Sequence, residues 1–269
     1  FPAASEPIRL VQITDTHLNR KPGGELLGLD TDFSLQQVLR IVHEERKSID
    51  AVLATGDISN HGAPEAYLRA KDYFAGLSDT VFWLPGNHDG QDNMLSATAG
   101  GAEMSPEGRS GCWQILLLDS QIPGEVGGRL GGEQIEWLRE RLEAGAEANL
   151  FTLVCLHHQP IPMGSAWLDQ QQVEDSDEFL AVVDNFPAVR GVLWGHVHQA
   201  HDSQRGHIRM MCTPSTCIQF APHSDDFKVD DKPPGYRWLD LHSNGDIDSA
   251  VSRVEDVEFS LDLNSAGYV

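Results

Sequence analysis

Residues 86–89, Gly-Asn-His-Asp, close one of five short apolar runs in this chain, and each run ends in a side chain that binds transition metals. A turn alone rarely needs Asn and His together, so this tetrapeptide indicates a functional site. The other four endings are Asp15-Thr16-His17 after residues 9–14, Gly56-Asp57 after Ala51–Thr55, His157 after residues 151–156, and Gly195-His196-Val197-His198 after residues 191–194.

The five runs are rich in Val, Ile, Leu and Phe, and apolar runs of this length predict buried β-strands. In open α/β sheets the ligand lies in the crevice beyond the carboxyl ends of the strands. Side chains that are far apart in the sequence are therefore expected to meet at one edge of a sheet. The pattern predicts a catalytic metal site at that edge.

The charge of the chain limits its partners. The sequence has 41 acidic and 19 basic residues, a formal net charge of −22. Such a surface repels nucleic-acid backbones, and no Lys/Arg cluster offsets it locally. A small anionic substrate remains compatible with this charge. At physiological salt the repulsion from a carboxylate is largely screened beyond about 8 Å. No run reaches the roughly 18 apolar residues of a membrane span, so a cytoplasmic protein is expected.

Helices are predicted between the strands by apolar residues at helical spacing. Alternation of strands and helices through the first two-thirds of the chain predicts an α/β fold with a mainly parallel sheet. The predicted helices cover residues 35–42, Pro64–Ala75, about 135–145 and about 178–185, and the candidate caps of the first are Thr31, Asp32 and Ser34.

The last third of the chain changes pattern. Alternating strands are predicted at residues 207–212, 236–242 and 246–253, the last two joined by an Asn-Gly hairpin at 243–245. They suggest a second, antiparallel sheet packed on the first. We expect a single domain over residues 1–254 and a loosely ordered tail over 255–269. The four cysteines show no Cys-x-x-Cys spacing and are expected to be free thiols.

The strand ends together supply seven candidate metal ligands. Oxygen and imidazole ligands without thiolate suit Fe, Mn, Zn or Co. Seven groups are too many for one open catalytic ion, but they suffice for two ions if Asp57 bridges them. Gly56 before it would allow a tight turn and a close backbone approach. The seven candidates are Asp15, His17, Asp57, Asn87, His157, His196 and His198.

Two adjacent metal ions suit hydrolysis at phosphorus. Ions about 3.5–4 Å apart clamp the attacking and leaving oxygens and lower the pKa of a bound water toward about 7. His88, next to the ligand Asn87, is a candidate general acid for the leaving oxygen. Asp89 beside it is a candidate for orienting the imidazole. His158 is a candidate for orienting the site through a hydrogen bond.

In this order, the five blocks resemble the calcineurin-like metallophosphoesterase superfamily. The resemblance implies a four-layer α/β/β/α sandwich of two mixed sheets flanked by helices. Purple acid phosphatases have a Tyr ligand where this chain has Asn60, and they lack the His that stands here as His17. Serine/threonine phosphatases continue the Asp57 block with Asp-Arg-Gly, which is absent here. The chain is more similar to the class III cyclic nucleotide phosphodiesterases, also through residues 12–18, 113–121, 165–170 and 213–223.

This resemblance implies that one metal is held by Asp15, His17, Asp57 and His198. The other would be held by Asp57, Asn87, His157 and His196. His88 would be the catalytic histidine, and the family typically uses Fe and Mn.

The implied reaction is attack of a metal-bound hydroxide on 3′,5′-cyclic AMP to give 5′-AMP, which lowers cellular cyclic AMP. Trp167 would either stack on the adenine or plug a loop, with the plug favoured. The alternatives are a phosphodiesterase for glycerophosphodiesters or 2′,3′-cyclic nucleotides, a nuclease, and a non-catalytic scaffold. A monomer and a dimer both fit the sequence. The candidate substrate-binding residues are His17, Asp57, Asn60, Asn87, His88 and His198.

Overall fold

The structure is a computed structural model that describes residues 6–98 and 101–267. Its helices are α1 (Thr31–Glu45), α2 (Pro64–Ala75), α3 (Gln91–Ala97), α4 (Gly132–Glu147), α5 (Ala166–Asp169) and α6 (Ser176–Asp184), with a 3₁₀ turn at Ala102–Met104. Its strands are β1 (Ile8–Ile13), β2 (Glu25–Leu26), β3 (Leu29–Asp30), β4 (Ala51–Thr55), β5 (Val81–Leu84), β6 (Glu107–Ser110), β7 (Trp113–Leu117), β8 (Phe151–Cys155), β9 (Val189–Trp194), β10 (His201–Arg205), β11 (Ile208–Cys212), β12 (Gln219–Phe220), β13 (Val229–Asp230), β14 (Gly235–Leu241) and β15 (Ile247–Arg253).

Two large mixed sheets form the centre of the fold. The first has the strand order β15-β14-β1-β4-β5, and the second has the order β10-β11-β9-β8-β7-β6. Each sheet contains a block of parallel strands, β1 with β4 and β5 in the first and β7 with β8, β9 and β11 in the second. Parallel strands are covered on both faces, which explains why they read as continuous apolar runs in the sequence.

Apolar side chains fill the space between the two sheets. Leu53 of β4 packs there in the same cluster as Leu153 of β8 and Leu193 of β9, and all three are fully buried. Burying a Leu side chain contributes about 1.5–3 kcal/mol relative to leaving it exposed. This layer therefore fixes one sheet against the other and places their carboxyl edges side by side.

Helices cover the outer faces of both sheets. Val38 of α1 packs with Val52 of β4 on the first sheet. Leu138 of α4 packs with Val154 of β8 on the second. The layers are thus helix, sheet, sheet and helix, which confirms the expected four-layer sandwich of two mixed sheets flanked by helices.

The sequence suggested that the antiparallel strands form a sheet of their own. In the structure they join the two mixed sheets instead. β14 pairs with β1 and β15 with β14, so both extend the first sheet. β10 pairs with β11 at the edge of the second sheet. The second sheet also contains β8 and β9, which the apolar pattern placed with the other parallel strands. Local periodicity does not say which sheet a buried strand joins.

One local expectation is corrected. The N-cap of α1 is Asp30, whose Oδ1 accepts a hydrogen bond from the backbone N of Phe33 at 2.9 Å, and none of the three candidate caps is used. The hairpin predicted at residues 243–245 is confirmed, since β14 and β15 pair on either side of it. Gly245 donates its backbone N–H to the carbonyl of His242 and has a φ of 88°, which fits a type I turn followed by a left-handed Gly.

Residues 255–267 run over the surface without regular structure. Phe259 packs against apolar clusters under both helical layers, and the backbone N of Asp262 donates to the carbonyl of Leu27 at 2.8 Å. The single domain and the loosely ordered tail stay predictions, and residues 268 and 269 lie outside the described residues. All four cysteines are free thiols, as expected. Within the described ranges no helix is long and apolar enough to cross a bilayer.

Candidate metal centre

The seven candidate ligands lie at the adjoining carboxyl edges of the two sheets. The first sheet contributes the turns after β1, β4 and β5, and the second contributes those after β8 and β9. The expected convergence therefore occurs across two sheets and not along one. Asp15, His17, Asp57, His157, His196 and His198 are all buried, and Asn87 is half-buried.

The backbone of five candidate ligands is in the left-handed region. These φ angles are 54° for Asp15, 45° for His17, 49° for Asp57, 63° for His196 and 48° for His198. Such a conformation costs about 1–3 kcal/mol per residue and collects at functional sites. His196 and His198 follow the end of β9, and left-handed backbone at both residues brings them to the site.

Gly56 makes the close approach of the turns possible. Its φ is 96°, and a Cβ there would lie 2.3 Å from Nδ1 of His157 and 2.8 Å from the backbone N of Gly86. The backbone N of Asp15 donates to the carbonyl of Gly56 at 3.0 Å. This glycine thus lets the turns after β1, β4, β5 and β8 meet.

The two carboxylates lie among the imidazoles. Asp57 Oδ2 is 3.3 Å from Nε2 of His157 and 3.7 Å from Nε2 of His17. Asp15 Oδ1 is 3.3 Å from Nε2 of His198 and 4.0 Å from Nε2 of His157. Asp57 therefore contacts one histidine from each expected metal position, as a bridging carboxylate would.

Each of the four histidines is held by its outer ring nitrogen. The Nδ1–H of His17, His157 and His198 points to an oxygen, and so does the Nε2–H of His196. The acceptors are Asn60 Oδ1 at 3.2 Å, the Thr55 carbonyl at 2.8 Å, the Ile218 carbonyl at 2.9 Å and Gln171 Oε1 at 3.0 Å, respectively. Hydrogen bonds of this kind fix the tautomer and the orientation of metal-ligating histidines. The other nitrogen of each ring then presents a lone pair to the cluster.

Lone pairs lie close together on the inner side of the cluster. The Nε2 atoms of His17 and His198 lie 3.2 Å apart, although their tautomers give neither a hydrogen to share. Oδ1 of Asn87 is buried without a hydrogen-bond partner among the described residues, and Nε2 of His157 is buried beside Asp57 Oδ2 at 3.3 Å. Buried polar atoms are normally satisfied, so such a convergence of lone pairs requires an explanation. Bound metal ions provide it, and the donor set fits them.

Charge in the cluster favours a cation. Burial opposes the protonation of His157, but the nearby Asp57 and Asp15 outweigh it and raise the pKa of His157 to about 9. Burial and the other histidines lower the pKa of His17 to about 3, despite Asp57. For Asp57 burial acts upward, but the histidines hold its pKa well below the ordinary value. A positive charge in the cluster therefore stabilises the buried carboxylates. When no metal is present, a proton on His157 supplies that charge.

A cavity of about 490 Å³ opens onto the cluster. One side is lined by Asn87, His88 and His196, and another by three aromatic rings, Trp167, Phe220 and Phe227. We call these three rings the aromatic wall. Trp167 is half-buried, so it both packs in its loop and faces the cavity.

Comparison with known families agrees with this geometry, since the calcineurin-like phosphoesterase family matches residues 8–200. The chain belongs to this family. A 3′,5′-cyclic adenosine monophosphate phosphodiesterase CpdA of Pseudomonas aeruginosa is 42% identical over 99% of this chain and 97% of its own length. CpdA of Escherichia coli K12 is 41% identical over 100% of this chain and 98% of its own. A dimetal phosphatase from Danio rerio has the same fold, with a TM-score of 0.68 and 16% identity, covering 95% of this chain and 98% of that one.

Within this calcineurin-like phosphoesterase site, Asp89 has a different position from the one expected. Its carboxylate accepts from the backbone N of Ser59 at 2.9 Å, the backbone N of Gly86 at 3.0 Å and the Tyr67 hydroxyl at 2.9 Å. The imidazole of His88 is held instead by the Asn60 carbonyl, which accepts from Nδ1–H at 3.0 Å. Asp89 therefore fixes the backbone of two site turns and does not orient the His88 ring.

Asn60 also departs from its expected role at the phosphate. The residue is only 3% exposed, and its Oδ1 accepts from Nδ1–H of His17. Its Nδ2 lies 3.2 Å from Nε2 of His61. With both ends of the amide engaged, Asn60 orients His17 from behind and is not among the described residues that line the cavity.

His158 is buried beside His157 and His196, with ring centroids 4.9 and 4.6 Å away. Its Nε2–H donates to the Val126 carbonyl at 3.1 Å, and its Nδ1 accepts from Ser120 Oγ at 2.8 Å. Both nitrogens are engaged, so His158 is not a ligand. It ties a loop of the cavity to the metal centre.

The sequence did not reveal the groups that hold the ligands. Gln171 is 25 positions from His196 and belongs to no recognisable motif. The Thr14 hydroxyl donates to Asp15 Oδ2 at 2.7 Å, and Tyr67 reaches Asp89 from α2. Among these three residues, only Thr14 could have been selected from the sequence, because it lies between a predicted strand and a predicted ligand.

Proposed function

We propose that the protein hydrolyses 3′,5′-cyclic AMP to 5′-AMP. The observation that carries the proposal is the cavity, which joins a metal-type cluster of Asp, Asn and His to an aromatic wall. A cyclic nucleotide needs both sides, since it has a phosphodiester and an aromatic base. The named activity of relatives that are about 40% identical over nearly the whole chain supports the same substrate.

We propose two transition-metal ions at the site, Fe and Mn being the favoured pair. Asp15, His17, Asp57 and His198 would hold one, and Asp57, Asn87, His157 and His196 the other. When bound, such ions activate water near neutral pH and neutralise charge on the phosphoryl oxygens. The buried lone pairs of Asn87 and His157 support this assignment.

The other side chains position the reacting groups. Water adds to phosphorus, the bond from phosphorus to the 3′-oxygen breaks, and that oxygen takes up a proton. His88 would deliver the proton from Nε2, because the Asn60 carbonyl holds Nδ1–H. Asp57 Oδ1 accepts from the backbone N of His88 at 2.8 Å, which links the acid to the bridging carboxylate.

The alternatives fit the cavity less well. A glycerophosphodiester has no use for an aromatic wall, and a nuclease would need a basic groove that a chain of net charge −22 does not provide. A non-catalytic scaffold would have no need to keep all seven ligands in place. The cytoplasm, where cyclic AMP is made and used, is the proposed location.

A substrate panel tests the proposal. Metal-analysed protein would be assayed with cyclic AMP, cyclic GMP, 2′,3′-cyclic AMP, a glycerophosphodiester and single-stranded DNA. We expect the highest kcat/KM with cyclic AMP, and loss of that activity on chelation with recovery on adding Mn²⁺. A higher kcat/KM with the glycerophosphodiester, 2′,3′-cyclic AMP or DNA would overturn the assignment.

A further inference from the structure

We propose that the aromatic wall, together with Val126, is the subsite that binds the nucleobase. This inference rests on the proposed function and specifies which side chains would make a cyclic nucleotide a better substrate than other small phosphodiesters. The ligand class is an aromatic heterocycle attached to the sugar of the reacting phosphodiester.

The three rings form a continuous apolar surface. Trp167 lies 5.0 Å from Phe220 and 5.2 Å from Phe227 between ring centroids, and the two phenylalanines are 5.5 Å apart. The interplanar angles of 63–77° are edge-to-face contacts. Phe220 is buried and braces the other two rings, and Trp167 is half-buried at the cavity, where an aromatic side chain suits stacking of a flat base.

The wall begins next to the metal centre. Phe220 stacks on the ligand His198, with centroids 4.2 Å apart and planes 10° from parallel. Trp167 contacts Phe220 in turn, with ring centroids 5.0 Å apart. A phosphate at the ligands therefore leaves the sugar and base to extend along the wall. A cavity of about 490 Å³ has room for a whole nucleotide.

Val126 and Trp167 both line the cavity, and Trp167 also packs against the core of the second sheet. Val126 is 53% exposed, an unusual state for an apolar side chain in a cavity, and its carbonyl is fixed by Nε2–H of His158. Nε1 of Trp167 has no hydrogen-bond partner within the described part of the chain. Asp169 Oδ1 accepts from the backbone N of Met163 at 2.6 Å and closes the loop that carries Trp167. Groups held in place before a ligand arrives lose little entropy when it binds.

The test compares cyclic AMP with 1-deoxyribose 3,5-cyclic phosphate, which has the same cyclic phosphate but no base. Stacking predicts that wild-type kcat/KM is about tenfold or more higher for cyclic AMP. Trp167→Leu should lower that ratio toward one, mainly through a higher KM for cyclic AMP, because the contact is made before and during the reaction. Trp167→Phe keeps a stacking face and removes no hydrogen bond, so it should retain most of the ratio.

Trp137→Leu is the matched control. Trp137 is half-buried on α4 and is not among the described residues that line the cavity, so its loss should leave the ratio at the wild-type value. Equal kcat/KM for the two substrates in the wild type, or an equal loss for both in Trp167→Leu, would overturn the base subsite.

A binding measurement separates this proposal from the function itself. If neither substrate is hydrolysed, the proposed reaction fails, and calorimetry with 5′-AMP and ribose 5-phosphate still decides the subsite. Tighter binding of 5′-AMP that is weakened by Trp167→Leu would support the wall as a base platform. Equal affinity for the two phosphates would reject it.

Discussion

The two sides of the cavity are built in different ways. The ligand side comes from turns directly after parallel strands, with backbone hydrogen bonds such as that from the N of His17 to the carbonyl of Asp57 at 2.9 Å. The aromatic side comes from the short helix α5, the short strand β12 and a loop, and its rings pack against one another. On the ligand side the backbone sets the geometry, and on the aromatic side the side chains do.

This difference separates chemistry from recognition. Strand ends held by two sheets can keep donor atoms in place to a fraction of an ångström, as a metal centre needs. Loops can change their side chains without disturbing the sheets, so they are suited to selecting a substrate. Changes on the ligand side should therefore abolish turnover or folding, and changes on the aromatic side should redirect specificity.

The largest effect is expected for Asn87→Ala. This change removes a buried oxygen that has no hydrogen-bond partner in the described part of the chain, so one metal position should be lost and turnover should fall to background. Elemental analysis should then find about one metal ion fewer per chain than in the wild type. Asn185→Ala, at an exposed helix end, is the control and should keep both ions. Full metal content in the Asn87 variant would remove Asn87 from the centre.

His88→Ala should retain the metals and slow turnover by about 10²–10⁴-fold, the usual contribution of a positioned proton donor. The measurement is kcat with cyclic AMP at matched metal content, together with the same assay on a substrate whose leaving group needs no proton. The activated substrate should lose much less. His43→Ala, an exposed residue of α1, serves as the control. Unchanged kcat in the His88 variant would contradict its role.

Gly56→Ala should lower the free energy of unfolding by about 3 kcal/mol, because the new Cβ adds a steric clash to a strained φ. Gly206→Ala is a matched control, since its φ is 56° and no atom of residues 6–98 or 101–267 lies within 4 Å of the added Cβ. It should lose only about 1 kcal/mol. Denaturant unfolding of both variants measures the difference. Equal losses of unfolding free energy in the two variants would show that the close approach of the site turns does not limit what residue 56 can be.

Gln171→Leu should have the smallest effect among these changes. Gln171 lines the cavity and also supports a metal ligand. It removes the acceptor for Nε2–H of His196, and losing such a partner typically weakens metal binding by about 10–100-fold. Metal affinity measured by competition with a chelator is the readout. Gln172→Leu, whose amide bonds to Ser176, controls for the loss of a neighbouring amide. Wild-type affinity in the Gln171 variant would show that His196 needs no such support.

Much of the ligand side could be read from the sequence because its signals are local. An apolar run followed at once by Asp, Asn or His specifies both a strand and what stands at its end. The bounds of β4 and α2 match the predicted ones, and Pro64 is in the first turn of its helix as expected. Gly56 was likewise readable, since a tight turn before Asp57 requires a residue without a Cβ.

The tertiary structure alone decided the rest, since the deciding contacts join residues far apart in the chain. Asp89 serves the backbone of Ser59 and Gly86 instead of the neighbouring His88, and Asn60 turns its amide to His17. The assignment of strands to two sheets and the assembly of the aromatic wall follow from packing over long sequence separations. Sequence patterns record which surfaces of an element are buried, but only the packed molecule determines what they are buried against.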